Sequence, residues 1–163
     1  MIKGYPTKEH MTDFFQTLAR TILLWNTVET ELFSVYLCLL NTKEGPNISA
    51  AYYSIHNVHV HLKMVDAAAQ VTLRKSILLL KWNNIYKKII KHVKQRNNLV
   101  HLNLHPNIGK DGLVTLELHQ SYMNVNAKKT RYDINKIKEI YASFDSLGTD
   151  LKNLYLQLYK FNG

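Results

Sequence analysis

A chain of 163 residues is long enough to bury one sizeable core and short for two. Its 46% hydrophobic and 20% charged residues exclude wholesale disorder, and its single cysteine excludes an internal disulfide. The net charge of +9 favours polyanionic partners, nucleic acid before acidic membrane.

Cys38 lies in the run Val35-Tyr36-Leu37-Cys38-Leu39-Leu40, where aliphatic neighbours suit a small buried hydrophobe better than a nucleophile. The opening residues Met1 to Pro6 hold no apolar core of signal-peptide length. No run approaches the ~20 apolar residues that span a bilayer, so the expectation is a cytoplasmic chain with no membrane partner.

The first helical pattern is Phe14, Leu18, Thr21, Trp25, Val28, Leu32, Val35 and Leu39. Its steps of four and three residues describe a helix packed nearly parallel to its neighbours, with Thr12 as N-cap. Turn-forming residues from Asn41 to Asn47 break it. A second helix, capped by Asn47 or Ser49, carries the seam Ala51, Ile55, Val58, Leu62, Val65, Ala69 and Leu73. A third begins near Ser76, shows Leu78, Trp82, Ile85, Ile89 and Val93, then Arg96 and Val100, and stops before Pro106.

An insert over 106–131 has a different texture. Asp111-Gly112 signals a turn, Val114, Leu116 and Leu118 alternate with polar residues, and Tyr122 to Val125 form a second short extended run. The fourth helix follows Asp133, a good N-cap, with Ile137, Tyr141, Phe144, Leu147, Leu151, Leu154, Leu158 and Phe161 along its seam. Gly148 inside it marks a kink or a close helix contact. The expected fold is one domain over 1–163, an all-α up-down four-helix bundle with a short β-hairpin or extended insert between the third and fourth helices.

Near the end of the third helix the apolar stripe gives way to Arg96-Asn97-Asn98-Leu99-Val100-His101. On an ideal helix Asn97 and His101 sit one above the other, and Arg96 lies about 140° from His101 around the axis. His101 is a proton carrier near neutrality, Arg96 a permanent cation that holds phosphate oxygens, and Asn97 an amide that orients a hydroxyl or an imidazole. Cleaving RNA with its own 2′-hydroxyl needs a base, an acid and positive charge at the phosphoryl group. One imidazole cannot conveniently serve as both acid and base in one step, whereas a twofold dimer supplies two.

This six-residue segment resembles the Arg-polar-x-x-x-His signature of HEPN domains, and helix order and motif placement are similar from about residue 10 to 160. The resemblance implies a helical bundle and a metal-independent endoribonuclease of the toxin or phage-defence type, with a composite site at a homodimer interface. It assigns Arg96, Asn97 and His101 as catalytic. Other members bind nucleotides or protein partners without cleavage, so the competing expectation is a non-catalytic module that dimerises or binds an antitoxin or a nucleotide. The insert is not part of the minimal pattern.

Lys87, Lys91 and Lys94 share a face of the third helix and read as a basic track leading towards Arg96 for the RNA backbone. Lys128, Lys129 and Arg131 form a second basic wall, flanked by Tyr122 and Tyr132, whose rings could stack bases but more often pack across a hairpin. His105 is a candidate substrate contact. His101 and His105 are spaced like a zinc pair but lack the intervening glutamate, and His56, His59 and His61 have no acid to complete a ligand set. No metal and no cofactor is expected. Arg96, where buried, needs an acid such as Glu29, Glu31 or Asp66.

Overall fold

The computed structural model describes residues 6–42, 44–101, 103–108, 114–119 and 131–162. Along them run α1 (Lys8–Leu40), α2 (Gly45–Tyr53), α3 (Val58–Thr72), α4 (Ile77–His101), β1 (Asn103–Ile108), β2 (Val114–His119), β3 (Arg131–Tyr132) and α5 (Ile134–Asn162). The chain is therefore mostly helical. It departs from the expected four helices because the second of them is two, α2 and α3.

The break lies at residues 54–57. Asn57, with extended backbone, accepts from the amides of His59 and Val60 and so starts a new helix where apolar periodicity alone runs on. Ser54 Oγ bonds back to the Ala51 carbonyl at 2.7 Å and ends the preceding one. The phase changes across the break. Leu62, Val65, Ala69 and Leu73 are buried as expected, but in α2 the buried residue is Tyr52 and not Ala51, which is exposed. Neither Asn47 nor Ser49 caps α2, which begins at Gly45 with Pro46 in its first turn.

The start of α1 also shifts. Thr7 Oγ1 accepts the amide of His10 at 3.2 Å, one turn ahead of Thr12, whose hydroxyl instead donates to the Lys8 carbonyl inside the helix. By length and composition α1 is long and apolar enough to cross a bilayer, against the expectation that no segment is. Between Arg20 and Leu40 its only charged residues are Glu29 and Glu31, and the Thr, Asn and Ser there interrupt an apolar run without making the helix hydrophilic. A core helix passes the same test, and α1 buries a single stripe from Phe14 to Leu39 at the expected spacing. The expected start near Ser76 and the expected cap at Asp133 both hold. Ser76 Oγ accepts from Leu78 N, and Asp133 Oδ1 from Lys136 N at 2.8 Å.

The insert is a three-stranded antiparallel sheet of order β1-β2-β3 rather than a two-stranded hairpin. Its β1–β2 register runs from Asn103 opposite His119 to Ile108 opposite Val114, and Tyr132 of β3 faces Leu118. Strand pairing begins at Asn103, before Pro106, which sits on the edge strand where its missing N–H is tolerated. The expected turn at 111–112 and the extended run at 122–125 lie outside the described residues.

Two compact units can be distinguished, residues 1–25 with 94–144, and 26–93 with 145–163. In the first, Trp25 meets Phe144 edge-on with ring centroids 5.0 Å apart, beside Ile137 and Ile140. In the second, the core is built from Leu32, Leu62, Trp82, Ile89, Leu147 and Leu151, all buried. Trp82 Nε1 donates to Asp66 Oδ1 at 2.8 Å, and Tyr52 stacks on His61 with centroids 3.9 Å apart. Gly148 faces Val28, where an added Cβ would meet Cγ2 at 3.9 Å, an ordinary contact.

Candidate nucleic-acid interface

The last turns of α4 carry the motif because that helix continues past its own buried stripe. Ile89, Val93 and Leu99 point inward, which sets the rotation of every residue between and after them. Arg96 is half-buried, and its Nη1 donates to Asn97 Oδ1 at 3.2 Å. Its Nε is buried and unsatisfied among the described residues. No ion pair to Arg96 occurs among the described residues, so the expected carboxylate partner is not found there. Asp66 accepts from Trp82 and from Gln70, and these neighbours account for its place in the second unit.

Asn97 is half-buried and His101, the final residue of α4, is exposed. Arg96 and Asn97 are thus joined directly. His101 stands one turn above Asn97 by helical phase, with exposed Val100 on the surface between His101 and Arg96.

Asn98 takes a role that spacing did not reveal. Its Nδ2 donates to Tyr132 Oη at 2.8 Å and ties the motif helix to β3. Tyr132 is buried, so it packs across the sheet and is not free to stack a base. The signal for this pairing was the tyrosine beside Asp133, but its partner, 34 positions earlier, leaves no local trace.

Lys94 is exposed, and two residues of helix place it about 160° from Arg96. A basic track leading to Arg96 is therefore corrected: Lys94 shares its face with His101, seven residues on and about 20° away. Lys87 and Lys91 are exposed on the part of α4 that belongs to the second unit. His105 sits in β1, opposite Glu117, whose Oε1 accepts from Asn107 Nδ2 at 2.7 Å. Lys128 and Lys129 lie outside the described residues, and Arg131 is placed by its backbone in β3, opposite His119.

The remaining candidates are structural. His61 is buried, and its Nε2 lies 2.8 Å from the Tyr52 carbonyl. Burial pushes the Cys38 thiol above its ordinary range, which keeps it protonated and a poor nucleophile. Among the described residues no group of three or more His, Cys, Asp or Glu is placed to hold a metal ion.

Compared with family models, curated proteins and solved structures, the chain matches none of them.

Proposed function

We propose that this chain is a HEPN-like, metal-independent endoribonuclease of the toxin or phage-defence type, cytoplasmic and active as a homodimer. One observation carries the reading. Arg96 is a half-buried cation with no carboxylate partner among the described residues, adjoining the Asn97 amide on the helix that ends in an exposed imidazole. A partly desolvated guanidinium left in that state favours an anionic ligand, and its planar fork suits a phosphodiester.

In the reaction, the 2′-oxygen attacks phosphorus as its proton passes to one His101. The bond to the 5′-oxygen breaks, and that oxygen takes a proton from the His101 of the second copy. The products are a 2′,3′-cyclic phosphate and a 5′-hydroxyl. Arg96 stabilises the phosphoryl oxygens and Asn97 holds the ribose or the imidazole in place. Lys94, on the His101 face, attracts the flanking backbone.

Incubation with single-stranded RNA in chelator tests this, beside Arg96→Ala and His101→Ala. Cleavage by the wild type, lowered at least about 100-fold by either change, supports the enzyme. Intact RNA at high protein concentration overturns it.

A second reading is favoured by exposed Val100 and Leu104 beside the motif. There the same surface dimerises or seats an antitoxin or nucleotide without turnover. A stable dimer with no effect on RNA, dissociated by Val100→Asp, supports that reading.

A further inference from the structure

One end of the second unit gathers four helix termini. Thr72 Oγ1 donates to the Leu39 carbonyl at 3.1 Å and joins the end of α3 to the end of α1. Lys81 Nζ donates to Gln157 Oε1 at 2.8 Å and joins the start of α4 to the end of α5. Tyr155 and Tyr159 of α5 share a cavity of about 430 Å³ with Asn41 and Thr42, which follow α1.

From this end large apolar side chains project into solvent. Val71 is 79% exposed, Ile77 66% and Leu80 60%, all within one turn of the α3–α4 connection. On α5 the aromatic residues Tyr159, at 67%, and Phe161, at 58%, are exposed together with the aliphatic Leu156. A soluble helical core has no use for aliphatic groups placed at the tip of a hairpin, away from its seam.

Cations predominate at this end, where exposed Glu44, whose amide bonds to Thr42 Oγ1 at 3.1 Å, adds a carboxylate beside the end of α1. Segments 39–42, 71–81 and 155–161 contain no Asp or Glu, while Arg74, Lys75, Lys81 and Lys160 lie among them. Lys75 even holds a left-handed backbone with φ 71, where glycine would be unstrained. Cations around protruding aliphatics, with amphipathic aromatics beside them, match the layers of an anionic bilayer surface: headgroup phosphates outside, acyl chains beneath.

We infer that this end of the second unit is a peripheral docking surface for an anionic lipid membrane. Ile77, Leu80 and Val71 enter the acyl boundary, and Arg74, Lys75, Lys81 and Lys160 hold the phosphates. A second copy of the chain is the poorer occupant, because it would set four cations against four with only Glu44 of each copy to offset them. RNA satisfies the cations but leaves the aliphatics in water. The expectation of no membrane partner rested on the lack of a spanning segment, and peripheral contact needs none.

The test is cosedimentation of the full chain with phosphatidylcholine vesicles, with and without phosphatidylglycerol. Two double variants accompany it, Ile77→Ser with Leu80→Ser and Arg74→Gln with Lys160→Gln. All four positions are surface sites, and circular dichroism verifies the fold. Binding to the phosphatidylglycerol vesicles is expected, released by high salt, and weakened about fivefold for each cation removed. The aliphatic pair is expected to lower it roughly tenfold or more.

Absence of binding to phosphatidylglycerol vesicles overturns the inference. So does equal binding to both vesicle types, or binding that neither double variant changes. A dimer that the Ile77→Ser, Leu80→Ser variant converts to monomer without affecting vesicle binding assigns this end to self-association and also overturns it. Neither variant touches Arg96 or His101, so RNA cleavage measured in parallel separates failure here from failure of the nuclease reading.

Discussion

Asn98 of the motif helix and Tyr132 of the last strand are joined by a 2.8 Å hydrogen bond, the link between α4 and the sheet that follows it. Because Tyr132 is buried, its hydroxyl and the Asn98 amide depend on each other for a partner. Tyr132→Phe is expected to cost about 1 kcal/mol, and Asn98→Ala somewhat more, since each strands the other group. Urea unfolding of both single variants and the double gives the coupling. Additive losses would show that the two side chains act independently.

Arg96→Lys keeps the charge but loses the planar fork. If phosphate is held in two-point fashion, cleavage falls about tenfold or more even though the helix stays intact. Single-turnover rates on a short RNA measure this, and a variant as fast as wild type would reduce Arg96 to a point charge.

Trp82 is fully buried and donates to Asp66 at 2.8 Å. Trp82→Phe removes that donor and leaves a gap in the core of the second unit. The expected loss is about 2–3 kcal/mol by chemical denaturation. A change under half of that would mean that Asp66 rehydrates readily or that Gln70 replaces the indole.

Tyr52 is buried, its hydroxyl lacks a hydrogen-bond partner among the described residues, and burial pushes its acidity well above the ordinary value near 10. The unfolded chain therefore loses this proton at lower pH than the folded one. The stability linked to the protonated phenol is fully present below pH 10 and is lost as pH climbs towards the folded value. Tyr52→Phe is expected to gain about 1 kcal/mol at neutral pH by removing an unsatisfied hydroxyl. It should also flatten the alkaline fall in stability, which thermal melts between neutral pH and about pH 11 record.

Gly148 lies inside α5, and the space beside Val28 accepts a Cβ at ordinary contact distance. Gly148→Ala is expected to stabilise by about 0.5–1 kcal/mol, seen as a higher melting temperature. A destabilised variant would show that the approach to Val28 is tighter than 3.9 Å.

Much of the helical framework is legible in the chain. The stripes of α1, α4 and α5 appear as three- and four-residue steps because burial repeats with the helical turn, and Ser76 and Asp133 announce helix starts through their side-chain oxygens. Tyr141 and Phe161 fit the α5 stripe by spacing yet are exposed, while Ile140 is buried instead, since a stripe wider than the seam leaves the choice to the neighbours. Helix phase alone, applied to Lys94, already sets it apart from Arg96.

Periodicity and capping are properties of neighbours in sequence, so the amino-acid order alone determined a mostly helical chain with Arg96, Asn97 and His101 near the end of one helix. The tertiary structure decided which residues from distant segments meet. It stacked Tyr52 on His61, gave Asn98 to Tyr132, and brought the ends of α1, α3, α4 and α5 together with their exposed aliphatics and cations. Those pairings depend on the packing of remote surfaces, which local spacing does not encode.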